Sequence, residues 1–346
     1  MRKFIAICLC IMCMCCFSSC TSSRFECLPP DGANLNYNNA DELIGFWLTS
    51  DSVCYTETPL FSTHYYLAQQ DSNTKIGWGD GAKIQRYGNE IYILNEADNV
   101  DESNTTRKLK LYNIDSKITT NLTSINNCYK FLVLDETVYY SDYSWVDDYK
   151  VWTLKKYSTV SGEHETIKEK IVSFGVIGND IFYLSDENDK VIIYKYDSNT
   201  EASIEQGEIY LSKEDILRLP DFGDVSYTPN YLLLNISDEP ASRIFKYSFS
   251  TGSLTCVEVD GYVEEFVSYR NCSYFIIYDE ETEIGKLYKM DNNTDEIIKL
   301  QTIEGWIGSL FVCSDDGAYI YEAKQNYSIV YYSNEPNSKP ITVFKS

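Results

Sequence analysis

The sequence predicts an all-β protein folded as a β-propeller of about seven four-stranded blades, and three observations carry that reading. A short phrase recurs: Tyr194-Lys195-Tyr196-Asp197 and Tyr288-Lys289-Met290-Asp291 belong to a series anchored at positions 71, 115, 158, 197, 248, 291 and 333. A repeat of about 40–45 residues is the length of one propeller blade. The segments around each anchor are rich in Tyr, Ile, Val and Phe, often alternating, and are bounded by Asn, Asp, Gly and Ser, as strands and their turns are. Helical periodicity is almost absent. The count of anchors favours seven blades, and closure with six or eight stays open.

The N-terminus is set aside before the fold. Arg2 and Lys3 precede an unbroken apolar run over residues 4–17. That run is short of the ~20 residues a spanning helix needs and suits the core of a signal peptide. The run ends in Phe17-Ser18-Ser19-Cys20. This stretch resembles the bacterial lipobox, in which small residues precede a cysteine that becomes lipidated and N-terminal; Phe17 stands where that family usually has Leu, Val or Ile. The resemblance implies a lipoprotein signal peptide over residues 1–19, an anchor cysteine at Cys20 followed by a linker to residue 40, and a propeller over 41–346. Acyl chains on Cys20 would hold the protein to a membrane, outside the cytoplasm, at the cell surface or envelope.

Each repeat has one grammar. An inner strand such as 171–177 or 307–312 leads, and a second strand follows at 53–56, 90–94, 138–141, 180–184, 231–235, 274–278 or 318–321. The anchor strand comes third, and a turn and a last strand, such as 116–122 or 296–300, close the unit. Asp, Ser and Asn stand at the anchors because their side chains bond the local backbone where a hairpin must turn. Alternation along Tyr-Lys-Tyr sends successive side chains to opposite faces, which places the tyrosines against a neighbouring blade and the lysine outward. Residues 212–219 are the helical exception: Ser212 and Asp215 have capping-box spacing inside the longest gap.

Val138-Tyr139-Tyr140-Ser141-Asp142 is similar to the Tyr-Trp-Thr-Asp blade motif of lipoprotein-receptor-type propellers, with looser versions at Cys54-Tyr55-Thr56-Glu57 and Tyr183-Leu184-Ser185-Asp186. The rhythm also resembles extracellular propeller lipoproteins of unknown function from Gram-positive anaerobes. The resemblance spans roughly residues 42–344. It implies a propeller fold and a binding role and brings no catalytic residues with it.

Composition bounds the partners. Of 29 basic residues, Arg2 and Lys3 leave with the signal peptide, so 27 face 52 acidic ones, a net charge of −25. Such a surface repels phosphate backbones, so nucleic acid is not an expected partner. Six cysteines follow Cys20, namely Cys27, Cys54, Cys128, Cys256, Cys272 and Cys313. An exported chain permits disulfides among them, buried thiols are the other reading, and the pairing stays open.

The motifs for chemistry are weak. Residues 197–201 and 291–295 place oxygen side chains as a calcium loop begins, yet position 6 is Ala202 or Glu296 instead of the Gly a calcium loop requires, and both stretches coincide with the repeated turn. His64, on a strand, and His164, in a polar turn, are the only histidines, too few for a His-rich metal site. No G-x-S-x-G elbow is present. We therefore expect no catalytic residues, no metal and no cofactor. The expected function is a monomeric, non-catalytic binding module that recognises a protein or glycan through propeller loops. The alternative is an extracellular polysaccharide hydrolase or lyase using loop carboxylates such as Asp147-Asp148. The candidate ligand contacts are Trp78, Trp145, assigned to a loop over 144–149, and Trp306.

Overall fold

Each repeat folds into one antiparallel sheet whose four strands follow one another in sequence. Blade 1 comprises Phe46–Leu48, Ser52–Glu57, His64–Gln69 and Ser72–Trp78, and blade 2 comprises Asp80–Tyr87, Glu90–Glu96, Arg107–Asn113 and Ile118–Asn126. Blade 3 comprises Lys130–Leu134, Thr137–Val146, Tyr149–Ser158 and His164–Glu169, and blade 4 comprises Ile171–Ile177, Asp180–Asp186, Val191–Asp197 and Ala202–Ile209. Blade 5 comprises Gly223–Tyr227, Tyr231–Asp238, Ala241–Ser248 and Leu254–Asp260, and blade 6 comprises Val263–Tyr269, Cys272–Asp279, Ile284–Asp291 and Ile297–Glu304. Blade 7 comprises Ile307–Ser314, Gly317–Ala323, Tyr327–Ser333 and Ile341–Lys345, with Arg24–Phe25 as a fifth, outermost strand. The protein is a seven-bladed β-propeller. The computed structural model describes residues 24–25, 46–48, 52–57, 64–69, 72–78, 80–96, 107–126, 128–146, 149–187, 190–212, 214–216, 223–238, 241–279, 281–305, 307–314, 316–323 and 327–345.

The first strands of blades 1, 2 and 3, and those of blades 4, 5, 6 and 7, lie side by side around the axis, and the first strand of blade 4 meets the third strand of blade 3. Buried polar struts tie some of them together. Gln85 of blade 2 donates to the Val133 carbonyl (3.2 Å) and accepts from the Val133 amide (2.8 Å) in blade 3. Ser226 of blade 5 accepts from the Ser268 amide of blade 6 at 2.9 Å. The outermost strands face solvent on one side, as the mostly exposed Ala202–Ile209 shows.

The anchors are the last residues of the third strands: Gln69, Asn113, Ser158, Asp197, Ser248, Asp291 and Ser333. This corrects the first two positions of the sequence series, 71 and 115, by two residues each. Four residues beyond the anchor the chain takes the left-handed conformation, at Lys117, Gly162, Glu201, Gly252, Asp295 and Asn337. Asn, Asp and Gly bear this backbone most readily. Side chains complete the corner: Asp291 Oδ1 accepts from the amides of Asn293 (2.8 Å) and Thr294 (3.1 Å), and Asp197 Oδ1 accepts from that of Asn199 (2.9 Å). The calcium-like phrases at 197–201 and 291–295 are these corners, their carboxylates engaged with the turn itself.

Apolar clusters fill every gap between blades, and one runs from Tyr319, Ile329 and Val343 of blade 7 into blades 1, 2 and 3. The ring therefore closes by side-chain packing, with every blade's own four strands drawn from one stretch of chain.

The expectation that the anchor lysine points outward does not hold at Lys246. Lys246 pairs across the sheet with Leu233, which is fully buried at the blade 5–6 interface. A cross-strand partner shares its face, so Lys246 is buried too. Period-two alternation says which side chains share a face; it does not say which face the next blade covers.

The insertion between blades 4 and 5 begins a helical turn at residues 214–216. Ser212 Oγ accepts from the Asp215 amide (3.1 Å), and the Asp215 carboxylate, buried, takes a two-pronged bond from Arg243 of blade 5 at 2.6 and 3.2 Å. Cys54, Cys128 and Cys272 are buried thiols and Cys256 is an exposed one. Cys20 and Cys27 lie outside the described residues, as does the side chain of Cys313.

Candidate functional site

In sheets with this strand order, the hairpins joining second to third strands open on the same face as the links between blades. The corners joining first to second and third to fourth strands open on the other. The Asn- and Asp-rich corners thus occupy one face. On the opposite face the second strands of blades 1 and 2 end, at Glu57 and Glu96, and the last strand of blade 4 ends, at Ile209.

Among the described residues, the longest hairpin on that face belongs to blade 3. Its second and third strands, ten residues each, are the longest of their kind. The register runs to Val146↔Tyr149, leaving two residues between the paired strands, and it pairs Tyr143 with Trp152 and Trp145 with Lys150. All four side chains share one face of the hairpin. Trp152 is 6% exposed and packs among Ile171 and Phe174 of blade 4. Tyr129 lies on it at 4.5 Å between ring centroids, Tyr143 at 4.9 Å, and Trp145 stands edge-on to Tyr143 at 6.2 Å. Lys150 Nζ is 5.4 Å from the Tyr143 ring centre, 5.7 Å from that of Trp152 and 5.9 Å from that of Trp145.

The result is a ladder of rings rooted in the core and ending in an indole that is 61% exposed. Such a tip is held in place before any ligand arrives, and an aromatic anchor with few rotatable bonds costs little entropy to use. On the same face, Tyr210 (66% exposed) follows the last strand of blade 4, and Tyr262 precedes the first strand of blade 6. The Tyr210 hydroxyl donates to Glu208, whose other oxygen takes Lys190. Glu208 lies below the usual carboxylate range, first because of the Lys190 bond and then because of the Tyr210 bond.

The sequence-predicted contacts fall out unevenly. Trp145 is the last residue but one of a strand instead of part of a loop, because the pairing continues to Val146↔Tyr149. Trp78 ends the outermost strand of blade 1, its backbone paired with His64, where the chain leaves for blade 2 on the same face as Trp145; its side chain is not described. Trp306 lies outside the described residues. Tyr143, Lys150, Trp152 and Tyr129 were missed. Their signal was present in Tyr143-Ser144-Trp145 and Lys150-Val151-Trp152, two alternating runs placed symmetrically about Asp147-Asp148.

His164 opens the last strand of blade 3 instead of a turn. Its Nδ1 lies 2.9 Å from the Tyr140 hydroxyl and its ring 4.7 Å from that of Tyr157. Burial lowers its pKa, and Lys155 adds to the effect. The candidate loop carboxylates Asp147-Asp148 lie outside the described residues, as do Glu280 and Asp315 of the further acidic pairs Glu280-Glu281 and Asp315-Asp316. Glu264 and Glu265 sit on the first strand of blade 6. Among the described residues no group of three or more His, Cys, Asp or Glu side chains could hold a metal ion.

The same architecture recurs in solved structures. The acylaminoacyl peptidase of Pyrococcus horikoshii matches with a TM-score of 0.55 at 11% identity, over 87% of this chain and 52% of that one. The chain thus spans about half the length of that peptidase. TolB from Acinetobacter baumannii matches with a TM-score of 0.40 at 12% identity over 87% and 78% of the two chains. A protein of Listeria monocytogenes EGD-e described as uncharacterized matches at 0.48 and 13% over 88% and 98%. At these identities the likeness concerns the fold alone. No family model matches the sequence, and no curated protein matches it.

Proposed function

We propose that this chain is a non-catalytic, extracytoplasmic binding module, tethered to a membrane through Cys20, that holds a protein or glycan on the face carrying Trp145. The Trp145 ladder is the observation that carries the reading. A large apolar ring kept in water by a rigid hairpin has no role in the core, since Trp152 and Tyr143 already fill the blade 3–4 seam, and exposed aromatic anchors are what binding surfaces use. The Tyr-Trp-Thr-Asp resemblance and the leader sequence support the extracellular setting. The chemistry beside the indole is suited to stacking: its near neighbours are Tyr143 and a lysine spread over three rings.

The deciding experiment compares the full chain with Trp145→Ala in two arms. One is cross-linking in the native envelope, with the linked residues mapped; the other is retention on soluble and insoluble polysaccharides. Links concentrated on the Trp145 face, or retention on a glycan, either of them lost in Trp145→Ala, are expected. Links confined to the Asn- and Asp-rich corners would overturn the assignment of the face. New reducing or unsaturated sugar ends released by the chain would replace it with the enzyme reading.

A further inference from the structure

We infer that the propeller stands edge-on to its membrane, with the rim formed by blades 7, 1 and 2 against an anionic lipid surface. The inference rests on the tether at Cys20 proposed above and adds the part of the fold that faces the lipid. Two independent observations meet here.

The first is where the N-terminal segment joins the fold. Arg24 pairs with Lys345 and Phe25 with Phe344, on the outer edge of blade 7. Only four residue steps separate Cys20 from Arg24, and an extended chain covers at most about 3.6 Å per step, so the edge of blade 7 lies within about 14 Å of an acylated Cys20.

The second is the charge along the rim. The outermost strands of blades 7, 1 and 2, namely Ile341–Lys345, Ser72–Trp78 and Ile118–Asn126, contain no carboxylate. They hold Lys345 and Lys75, next to Arg24; the turn entering Ile341–Lys345 adds Glu335 and Lys339, which offset each other. The outermost strands of blades 3, 4 and 5 hold Glu165, Glu169, Glu205, Glu208, Glu258 and Asp260 against one lysine, Lys168. In a ring of seven, the sector opposite blade 7 falls between blades 3 and 4. The acidic rim is therefore the one the tether turns away from the membrane.

This arrangement reconciles a strongly acidic chain with an anionic surface. Charges farther than about 8 Å from the lipid are largely screened at physiological salt, so the bilayer meets the local rim and little of the whole. Cations near such a surface are attracted to it. Edge-on standing also sets the propeller axis parallel to the membrane. The face that carries the Trp145 hairpin of blade 3 then looks sideways, parallel to the membrane, and stays open to a partner from outside.

The test uses the acylated full chain in phosphatidylcholine vesicles containing phosphatidylglycerol and a nitroxide-bearing quencher lipid. A fluorescent side chain replaces Ile341, on the rim of blade 7, or Ile204, on that of blade 4. The two are 51% and 52% exposed, so either label leaves the core intact. The expected result is loss of fluorescence at 341 and none at 204, with weaker loss at 341 when phosphatidylglycerol is omitted. Equal loss at both sites, or greater loss at 204, overturns the inference while leaving the tether standing. Loss at 341 that ignores phosphatidylglycerol overturns the role of charge. A mass showing Cys20 without acyl chains overturns the tether itself and this inference with it.

Discussion

Lys246 of blade 5 donates its ammonium to Asp295, the left-handed corner residue of blade 6. The same lysine donates to the Asn292 carbonyl of that corner at 2.8 Å. Blade 3 repeats the device: Lys156, at the matching position, meets Glu201, the corner residue of blade 4, at 2.7 Å. Where the next corner residue is Gly252, the equivalent Lys195 turns back to Asp180 of its own blade. Removing a buried lysine that serves a carboxylate and a carbonyl leaves both short of a donor. Lys246→Ala should therefore cost about 1–3 kcal/mol in urea unfolding. Lys195→Ala, whose pair is partly exposed, should stay within about 0.5 kcal/mol. Equal losses in the two variants would remove the corner latch as an explanation of the repeated phrase.

Most of the architecture was legible in the sequence because it rests on local signals. The strand expected at 171–177 is Ile171–Ile177, and that expected at 180–184 lies within Asp180–Asp186. Asp, Asn and Gly fix the corners through their own backbone preferences, so the repeat could be read without knowing what packs on it. What failed needed a partner. The anchor of blade 2 was set at 115 because Asp115 looks like Asp197 and Asp291, whereas Asn113 makes the same turn by accepting from the Ser116 amide at 2.9 Å. The inward lysine depends on Leu233 across the sheet. The Trp145 ladder depends on a two-residue turn that composition alone read as a longer loop. Which connections share a side became visible only once the strand order was known.

The blade 4–5 insertion should be held chiefly by Asp215. Its carboxylate is 4% exposed and meets Arg243 at 2.6 Å. Arg243→Ala leaves that charge buried without its guanidinium, and breaking such a pair by removing one partner costs about 3–5 kcal/mol. Ser212→Ala removes the cap and the hydroxyl's own bond to the Asp215 carboxylate (2.7 Å) but leaves the guanidinium in place, and should cost about 1–2 kcal/mol. Urea unfolding of the two variants gives the order. A loss at Ser212 equal to that at Arg243 would mean that the cap, and not the ion pair, secures the segment.

Acidification should weaken the fold through His164. Burial holds its pKa below the ordinary 6.5, so the folded chain binds fewer protons than the unfolded one between those two values. Stability is then full above 6.5 and falls as the pH drops through that window, levelling off below the folded pKa. The ring is exposed on one side, so the effect is small. His164→Gln should flatten the difference in stability between about pH 7 and pH 5. An NMR titration that places His164 at or above 6.5 would reverse the expected sign.

The two tryptophans of the blade 3 hairpin should separate stability from binding. Trp152 is 6% exposed and fills the seam with blade 4, so Trp152→Ala opens a cavity and should cost about 3–5 kcal/mol. Trp145 touches the same ladder from outside, and Trp145→Ala should change unfolding by no more than about 0.5 kcal/mol. Retention of a glycan or a cross-linked partner should nevertheless be lost in Trp145→Ala, because the exposed ring is the part of the ladder a ligand can reach. Circular dichroism in urea and a retention assay on the same preparations check both halves. A Trp145→Ala chain that is stable and retains its partner fully would place the binding surface elsewhere on the propeller.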